Sequence, residues 1–316
     1  MIETRFTQLV GATTPIQVAS MPGVSTVELV VAVANAGAVG MLGASIDSPE
    51  VLDAELARIA KATSGVFGVN FLMPFLNPAC VAVAARRARI VEFFFGTPRR
   101  ELVEEVHAFG ALASWQVGSL EEALAAESAG CDFVIAQGTE AGGHVRGQTS
   151  LLPLLSSVLD TVHIPVLAAG GIATARDLAA VLACGASGAR IGTRFVACAE
   201  SGAHPEYVKA LLAATAADTC LTEAFSEMWP DAPHRVLRSA VESAQAETSA
   251  IVGEIRHGKA TIAVPRFSPL VPTTQTTGHI AAMALYAGKS VTHVRKVEPA
   301  AAIIAELVAG ADGNRR

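Results

Sequence analysis

The chain has 316 residues, of which 51% are hydrophobic and only 16% charged, with 27 glycines, a balance that excludes disorder, collagen and coiled coil as descriptions of the whole. Its 23 basic and 29 acidic residues give a net charge of −6, and no basic run is long enough to follow a phosphate backbone, which speaks against nucleic acid as a partner. The five cysteines, never closer than 14 apart, suggest neither a disulfide framework nor a metal knuckle and fit a reducing cytoplasm.

The opening Met1-Ile2-Glu3-Thr4-Arg5 carries an acid and runs into polar residues, so no secretory signal is expected there. Ile16 to Ala19 reads as the first strand. Leu29 to Ile46 is uncharged for 18 residues, near the length of a membrane span, but Asn35-Ala36-Gly37-Ala38-Val39-Gly40 interrupts it with helix-ending chemistry. It therefore divides into a helix over Val27 to Ala36 and a buried strand over Val39 to Leu42. The helix-glycine-strand unit then recurs. Strands are predicted at Val66 to Phe71, Ile90 to Phe95, Ala111 to Trp115, Phe133 to Ala136, Val166 to Ala168 and Gly188 to Ile191. Helices are predicted between them at Pro49 to Ala62, Pro78 to Arg89, Arg99 to Phe109, Leu120 to Ala129, Leu151 to Leu159 and Ala173 to Cys184.

Eight strands with seven intervening helices predict an α/β fold, a (β/α)8 TIM barrel over residues 1–205. An open doubly wound sheet has the same periodicity, although no early GxGxxG follows the first strand. Aromatics are only 5%, so Ala, Val, Leu and Ile must fill the core. After residue 205 the alternation fails. Helices are predicted at Tyr207 to Ala217, Val236 to Glu254 and Gly278 to Ala287, with an irregular stretch over Trp229 to His234, so residues 206–316 read as a mostly helical extension or lid packing on the barrel.

In a barrel of this kind the residues just after each strand form the binding rim. Here they are Ser20-Met21-Pro22-Gly23, Gly43-Ala44-Ser45, Asn70, Gly96-Thr97, Gln116, Gln137 through His144, Gly170-Gly171 and Gly192-Thr193-Arg194. Glycines after the last two strands let backbone N–H groups approach a phosphate, with the helix start after Ile172 adding its dipole. The amides Asn70, Gln116 and Gln137 carry both donors and acceptors, suiting the uracil-like edge of a flavin, though an amide ending a strand also serves as a backbone cap. His144 stands between two glycines and a barrel helix, where an imidazole is able to exchange a proton near neutral pH. His234 and His279 lie in the irregular tail, within reach of the mouth. No cluster has metal-ligand spacing, so no metal is expected. Ser156 and Ser157 lack the glycines of a nucleophile elbow.

Several segments together resemble the nitronate monooxygenase family, once called 2-nitropropane dioxygenases, FMN-dependent (β/α)8 barrels. They are Pro15-Ile16 leading into Ala19-Ser20-Met21, Asn35 to Gly40, Gly68-Val69-Asn70-Phe71, Gln137 to His144, Ala168 to Ile172, Gly192-Thr193-Arg194-Phe195 and Met283 to Gly288. The resemblance implies that Ala19, Ser20 and Met21 lie against the isoalloxazine, and that Asn70 and Gln116 meet its polar edge. It implies that Gly142 and Gly143 line the cofactor, that Gly170, Gly171, Gly192 and Thr193 hold its phosphate, and that His144 faces the substrate. That substrate would be an alkyl nitronate or nitroalkane, oxidised by O2 to a carbonyl compound and nitrite in a cytoplasmic enzyme. No nucleic acid or membrane partner is implied, and homo-oligomer formation is left open. Two departures bear on chemistry: Gln116 stands where some relatives carry lysine, and Pro22 stiffens the loop beside the ring. The same scaffold also resembles FMN-dependent NAD(P)H reductases, the enoyl-acyl carrier protein and quinone reductases. A noncatalytic flavin-binding protein would gain nothing from His144.

Overall fold

The computed structural model describes residues 2–44, 48–257 and 260–313; Ser45 of the rim lies outside them. A first helix, α1 (Arg5–Val10), precedes β1 (Ile16–Val18), α2 (Val27–Asn35), β2 (Gly40–Gly43), α3 (Pro49–Ala62), β3 (Phe67–Leu72), α4 (Ala79–Arg87), β4 (Ile90–Phe94) and α5 (Arg100–His107). Next come β5 (Leu112–Val117), α6 (Leu120–Ala129), β6 (Phe133–Gln137), the two-residue β7 (Gly143–His144), α7 (Leu151–Leu159), β8 (Val166–Ala169), α8 (Ala175–Ala183), β9 (Gly188–Ile191) and the single turn α9 (Thr193–Val196). Helix starts are written locally: Thr26, Ser48, Ser119 and Thr174 each accept the backbone N–H three residues on.

Eight of these strands form one parallel sheet, in the order β1-β9-β8-β6-β5-β4-β3-β2. Gln17 bridges Val39, joining the two end strands, so the sheet closes into the expected barrel rather than an open sheet. Alternate residues divide between two cores, as the period of two requires. Val69, Val91, Phe93, Ala113, Trp115, Val134 and Ala168 face the helices. Val39, Met41, Ile90, Leu112, Phe133, Ile135 and Leu167 fill the lumen, with Phe6 and Val10 of α1 closing its floor. Phe6 meets Phe133 edge to face, with centroids 5.2 Å apart.

The last βα unit is interrupted. After α9 the chain makes α10 (Pro205–Ala213), β10 (Thr219–Thr222), β11 (His234–Leu237), α11 (Arg238–Ala246), β12 (Ile251–His257), β13 (Ala260–Pro265) and β14 (Thr276–Gly278), and then α12 (Ala300–Gly313). Ala300, Ile303, Ile304, Leu307 and Ala311 return to the core shared by the barrel helices, and α12 packs against α8 and α2, in the place of the eighth barrel helix. The expected division at 205/206 follows chain order, whereas the packing makes the intervening segment an insertion into the barrel.

That segment is mixed rather than mostly helical. The expected helix over Val236 to Glu254 is broken because β11 pairs with β10 and β7, and because Glu247 Oε1 accepts the N–H groups of Thr248 and Ser249. The expected helix over Gly278 to Ala287 shrinks to one 3₁₀ turn, Ile280–Ala282, since Gly278 has φ +119° and pairs with Gly253.

Polar residues also enter the lumen. Glu92 is fully buried on β4 and pairs with Arg190 of β9, itself 6% exposed. Glu92 also accepts from Asn70 Nδ2 at 2.8 Å and Gln17 Nε2 at 3.2 Å. A buried carboxylate stripped of its partner is costly. Arg190→Met is expected to destabilise the protein by about 3–5 kcal/mol, and pairing it with Glu92→Gln to restore most of the loss, as read from urea unfolding midpoints.

Candidate functional site

Lumen-facing residues at the strand ends form the mouth. Ala19 N–H donates to Ile191 O at 2.9 Å, and Ser25 Oγ accepts from Met21 N–H at 2.9 Å, folding the loop after β1 inward. A Cβ at Gly192 would lie 3.3 Å from Ala19 Cβ and 3.9 Å from Met21 Sδ, so the loops after β1 and β9 face each other at close range. Four buried side-chain atoms among the described residues lack a hydrogen-bond partner: Gln17 Oε1, Ser20 Oγ, Ser114 Oγ and His144 Nε2. All four belong to the lumen or its rim, a concentration that marks this end of the barrel as built for something else to bind.

Each expected residue has a definite place. Asn70 is buried with its amide nitrogen on Glu92, and since a carboxylate paired with arginine only accepts, Oδ1 is the atom left for a ligand. Gln116 is buried on β5. Gln137 spends both ends of its amide on the following loop, Nε2 donating to His144 O at 2.9 Å and Oε1 accepting from Arg146 N–H at 3.2 Å. Its observed work is to hold the His144 strand. Gly142 lets that strand touch the tail, because a Cβ there would lie 2.4 Å from Gly288 N. Thr193 Oγ1 accepts from the same Gly288 N–H at 3.0 Å.

The turn after β8 has Gly170 at φ +109° and Gly171 at φ +75°, a backbone that other residues rarely adopt. The start of α8 does not add to it as expected. Asp177 Oδ2 already accepts the N–H groups of Ala173 and Thr174, at 3.0 and 2.9 Å, in a capping box.

His144 is ringed by aromatic groups: Trp229 stacked at 3.9 Å between centroids, His234 at 5.2 Å, Tyr286 at 5.5 Å and Phe95 at 6.0 Å. Of the two tail histidines, His234 thus reaches the site, while His279 pairs with Glu247 at the surface. His234 is fixed as well, its Nε2 accepting from Phe225 N–H at 3.2 Å and its Nδ1 within 2.9 Å of Ala232 O. Burial, helped by the neighbouring His234, pulls the His144 pKa down to about 3. The expectation of an imidazole titrating near neutrality is not met, because the aromatic surround removes the water that would stabilise its cation.

Glu92, Arg190 and Gln17 were not anticipated as part of the site. The signal was present: single polar residues of opposite charge in the middle of otherwise apolar strands, Ile90-Val91-Glu92-Phe93 and Gly188-Ala189-Arg190-Ile191, must find one another if buried. Trp229 and Phe95 gave no such signal, being an apolar residue on an irregular stretch and one more aromatic at the end of an apolar strand.

The nitronate monooxygenase family description fits residues 3–80 and 79–310. The chain belongs to that family. A curated relative, the (3aS,4S,5R,7aS)-5-hydroxy-7a-methyl-1-oxo-octahydro-1H-indene-4-carboxyl-CoA dehydrogenase of Rhodococcus jostii, is 35% identical over 239 residues, which are 75% of this chain but 66% of that enzyme. Among solved structures, FabK from Thermotoga maritima matches with a TM-score of 0.83 at 28% identity, covering 100% of this chain and 98% of its own. The nitroalkane oxidase from Streptomyces ansochromogenes matches with a TM-score of 0.82 at 30% identity, covering 99% of each. Membership makes this chain an oxidoreductase. No helix among the described residues is long and apolar enough to cross a membrane.

The half-buried His144, with its Nε2 enclosed and its pKa depressed, makes a prediction about acid stability. Its folded pKa lies below its unfolded value, so the unfolded chain binds the extra proton and stability falls as pH drops below about 6.5. The loss reaches at most about 1.4 kcal/mol per pH unit for this one group. His144→Asn is expected to flatten the acid limb of a stability profile from urea unfolding between about pH 7 and pH 4, and an unchanged limb would show that His144 titrates normally.

Proposed function

We propose that the chain binds FMN at the barrel mouth and oxidises small alkyl nitronates with O2, giving a carbonyl compound and nitrite. The observation that carries this reading is the enclosed, unpartnered Nε2 of a neutral His144 at the rim. The mouth fits the cofactor: an orphaned Ser20 Oγ, the Asn70 Oδ1 left free by Glu92, buried Gln116, and the positive-φ turn of Gly170 and Gly171 after β8, the strand next to the one that leads into Gly192. In this reading Ala19, Ser20 and Met21 line one side of the ring, Gly142 and Gly143 the other, and Gly170, Gly171, Gly192 and Thr193 hold the phosphate. Bound there, FMN would carry electrons from the substrate to O2.

A conjugate acid of pKa about 3 makes His144 a weak base at neutral pH, well off the optimum for abstracting a proton from a neutral nitroalkane. A nitronate already lacks that proton and needs only a partner for its oxygens. His144 serves as that hydrogen-bond partner, in a dry surround where a bond to an anion counts for more than it does in water. This favours the nitronate over the nitroalkane. The five free cysteines accord with a cytoplasmic setting.

A second reading, NAD(P)H-dependent reduction of an enoyl thioester or a quinone by the same cofactor, is favoured by the fit to FabK over the whole chain. Anaerobic mixing separates the two. Bleaching of the flavin by a nitronate alone, with nitrite released in air and no nicotinamide needed, is the expected result, and bleaching by NADH with no nitrite at any stage transfers the assignment to the reductase. Gly171→Asp and Gly192→Glu are expected to purify without flavin, since each adds an anionic side chain to the loops that would hold the phosphate, the first at φ +75° against Glu140 and the second toward Ala19 and Met21. His144→Asn is expected to retain FMN and to lower kcat/KM for ethylnitronate by about 10- to 100-fold, the worth of one hydrogen bond to a charged group. A loss confined to nitroethane would instead make His144 a base.

A further inference from the structure

Trp229 reaches the rim from an irregular part of the insertion, between β10 and β11. Glu227 N–H donates to Phe267 O at 3.2 Å, Trp229 N–H closes a turn on Ser226 O at 3.0 Å, and Asp231 turns the chain with φ +53°. Met228 is 55% exposed while its neighbour Trp229 is 6% exposed, so the segment delivers one ring inward and leaves the other side chain in solvent. The indole lies nearly parallel to the His144 imidazole, at 3.9 Å and 23°, and meets the edges of Phe95 at 4.7 Å and Phe75 at 5.1 Å.

The other neighbours of His144 are tied down. His234 is held by Ala232 and Phe225, the Tyr286 hydroxyl donates to Pro269 O at 3.0 Å, and Phe95 directly follows a barrel strand. Trp229 is held by ring contacts, with no side-chain hydrogen bond among the described residues. His144 Nε2 meanwhile is buried with nothing to bond. A ligand that supplies the missing partner must approach Nε2 in the plane of the imidazole, past the edge of the indole stacked on its face.

We propose that Trp229 is the specificity-determining residue of this site: stacked on the face of His144, its indole walls the space through which a substrate reaches Nε2, and its bulk sets what is admitted. The proposal rests on the nitronate reading and deepens it. The C=NO2 unit and the atoms attached to its carbon share one plane, so an unbranched nitronate presents little bulk to the indole. A branch on the next carbon adds bulk out of that plane, against the indole.

The nitronates of 1-nitrobutane and 2-methyl-1-nitropropane have the same composition and differ only in that branch. Wild type is expected to prefer the straight isomer by about tenfold or more in kcat/KM, the scale on which pockets discriminate methyl groups. Trp229→Ala is expected to bring the two within about threefold, with Trp229→Phe between them. The second readout needs neither flavin nor turnover. Histidine NMR should show wild-type His144 silent between about pH 5 and pH 8 and titrating in that window once Trp229→Ala admits water. The groups facing it otherwise are His234, Tyr286 and Phe95, with Glu223 acting on His234 and Arg146 over Phe95, and all of them stay in place. An unchanged isomer preference in Trp229→Ala, or a His144 that stays silent in it, overturns the proposal. If Trp229→Ala does not fold, the narrower Trp229→Phe carries both measurements. A wild type inert on both isomers overturns the nitronate reading and the isomer preference with it, while the His144 titration still shows or refutes that the indole closes off the imidazole.

Discussion

Inside the barrel a buried carboxylate and guanidinium face each other, and among the described residues two amides complete the partners of the carboxylate. Glu92 and Arg190 come from strands on different arcs of the sheet, and they meet only because Gln17 bridges Val39 and closes the ring. Closure places both charges in one low-dielectric lumen, where either alone would be prohibitive. The apolar floor made by Phe6, Phe133 and their neighbours confines the polar layer to the half of the lumen nearest the mouth.

That pair also sets the polarity of what lies beside it. The acceptor-only carboxylate takes the amide nitrogens of Asn70 and Gln17, which turns their oxygens away from it; Gln17 Oε1 is left without a partner. The amide orientation is therefore a consequence of charge rather than of local backbone geometry. Through Asn70, an interaction within the barrel wall determines which kind of hydrogen bond the rim offers.

The His144 loop depends on a different constraint, the return of the insertion across the mouth. Arg235 and His234 of β11 pair with Gly143 and His144, and Val145 N–H donates to Pro233 O. Arg235 also grips Thr139 O through Nε and Nη2. Three of the four rings around His144, those of Trp229, His234 and Tyr286, come from this insertion, and the fourth, Phe95, has the strained backbone of φ +65° at the end of β4. The barrel supplies the imidazole and the insertion decides its environment, which is why a histidine legible as a proton carrier is held neutral. Structural matches to this scaffold bear the names of different enzymes, FabK and a nitroalkane oxidase.

Much of this was local and so was written in the sequence. The period-two strands, the Thr and Ser caps, and the glycines and amides that follow each strand depend on neighbours a few residues away, and their places on the rim follow from the alternation alone. The segment after residue 205 was misjudged where partners outweigh propensity: Val236 and Leu237 join a strand because β10 and β7 are there to pair with, and Gly278 cannot be helical opposite Gly253. The return of α12 to the barrel was hidden because its apolar face is the same whether it covers a lid or a barrel. Trp229 is one more apolar residue on a loop until folding lays it on His144. Sequence determined which polar residues and glycines stand at the strand ends, since that depends on side-chain type and strand register. Tertiary structure alone decided their protonation, the orientation of their amides and their cover, because burial and pairing arise from groups that lie far apart along the chain.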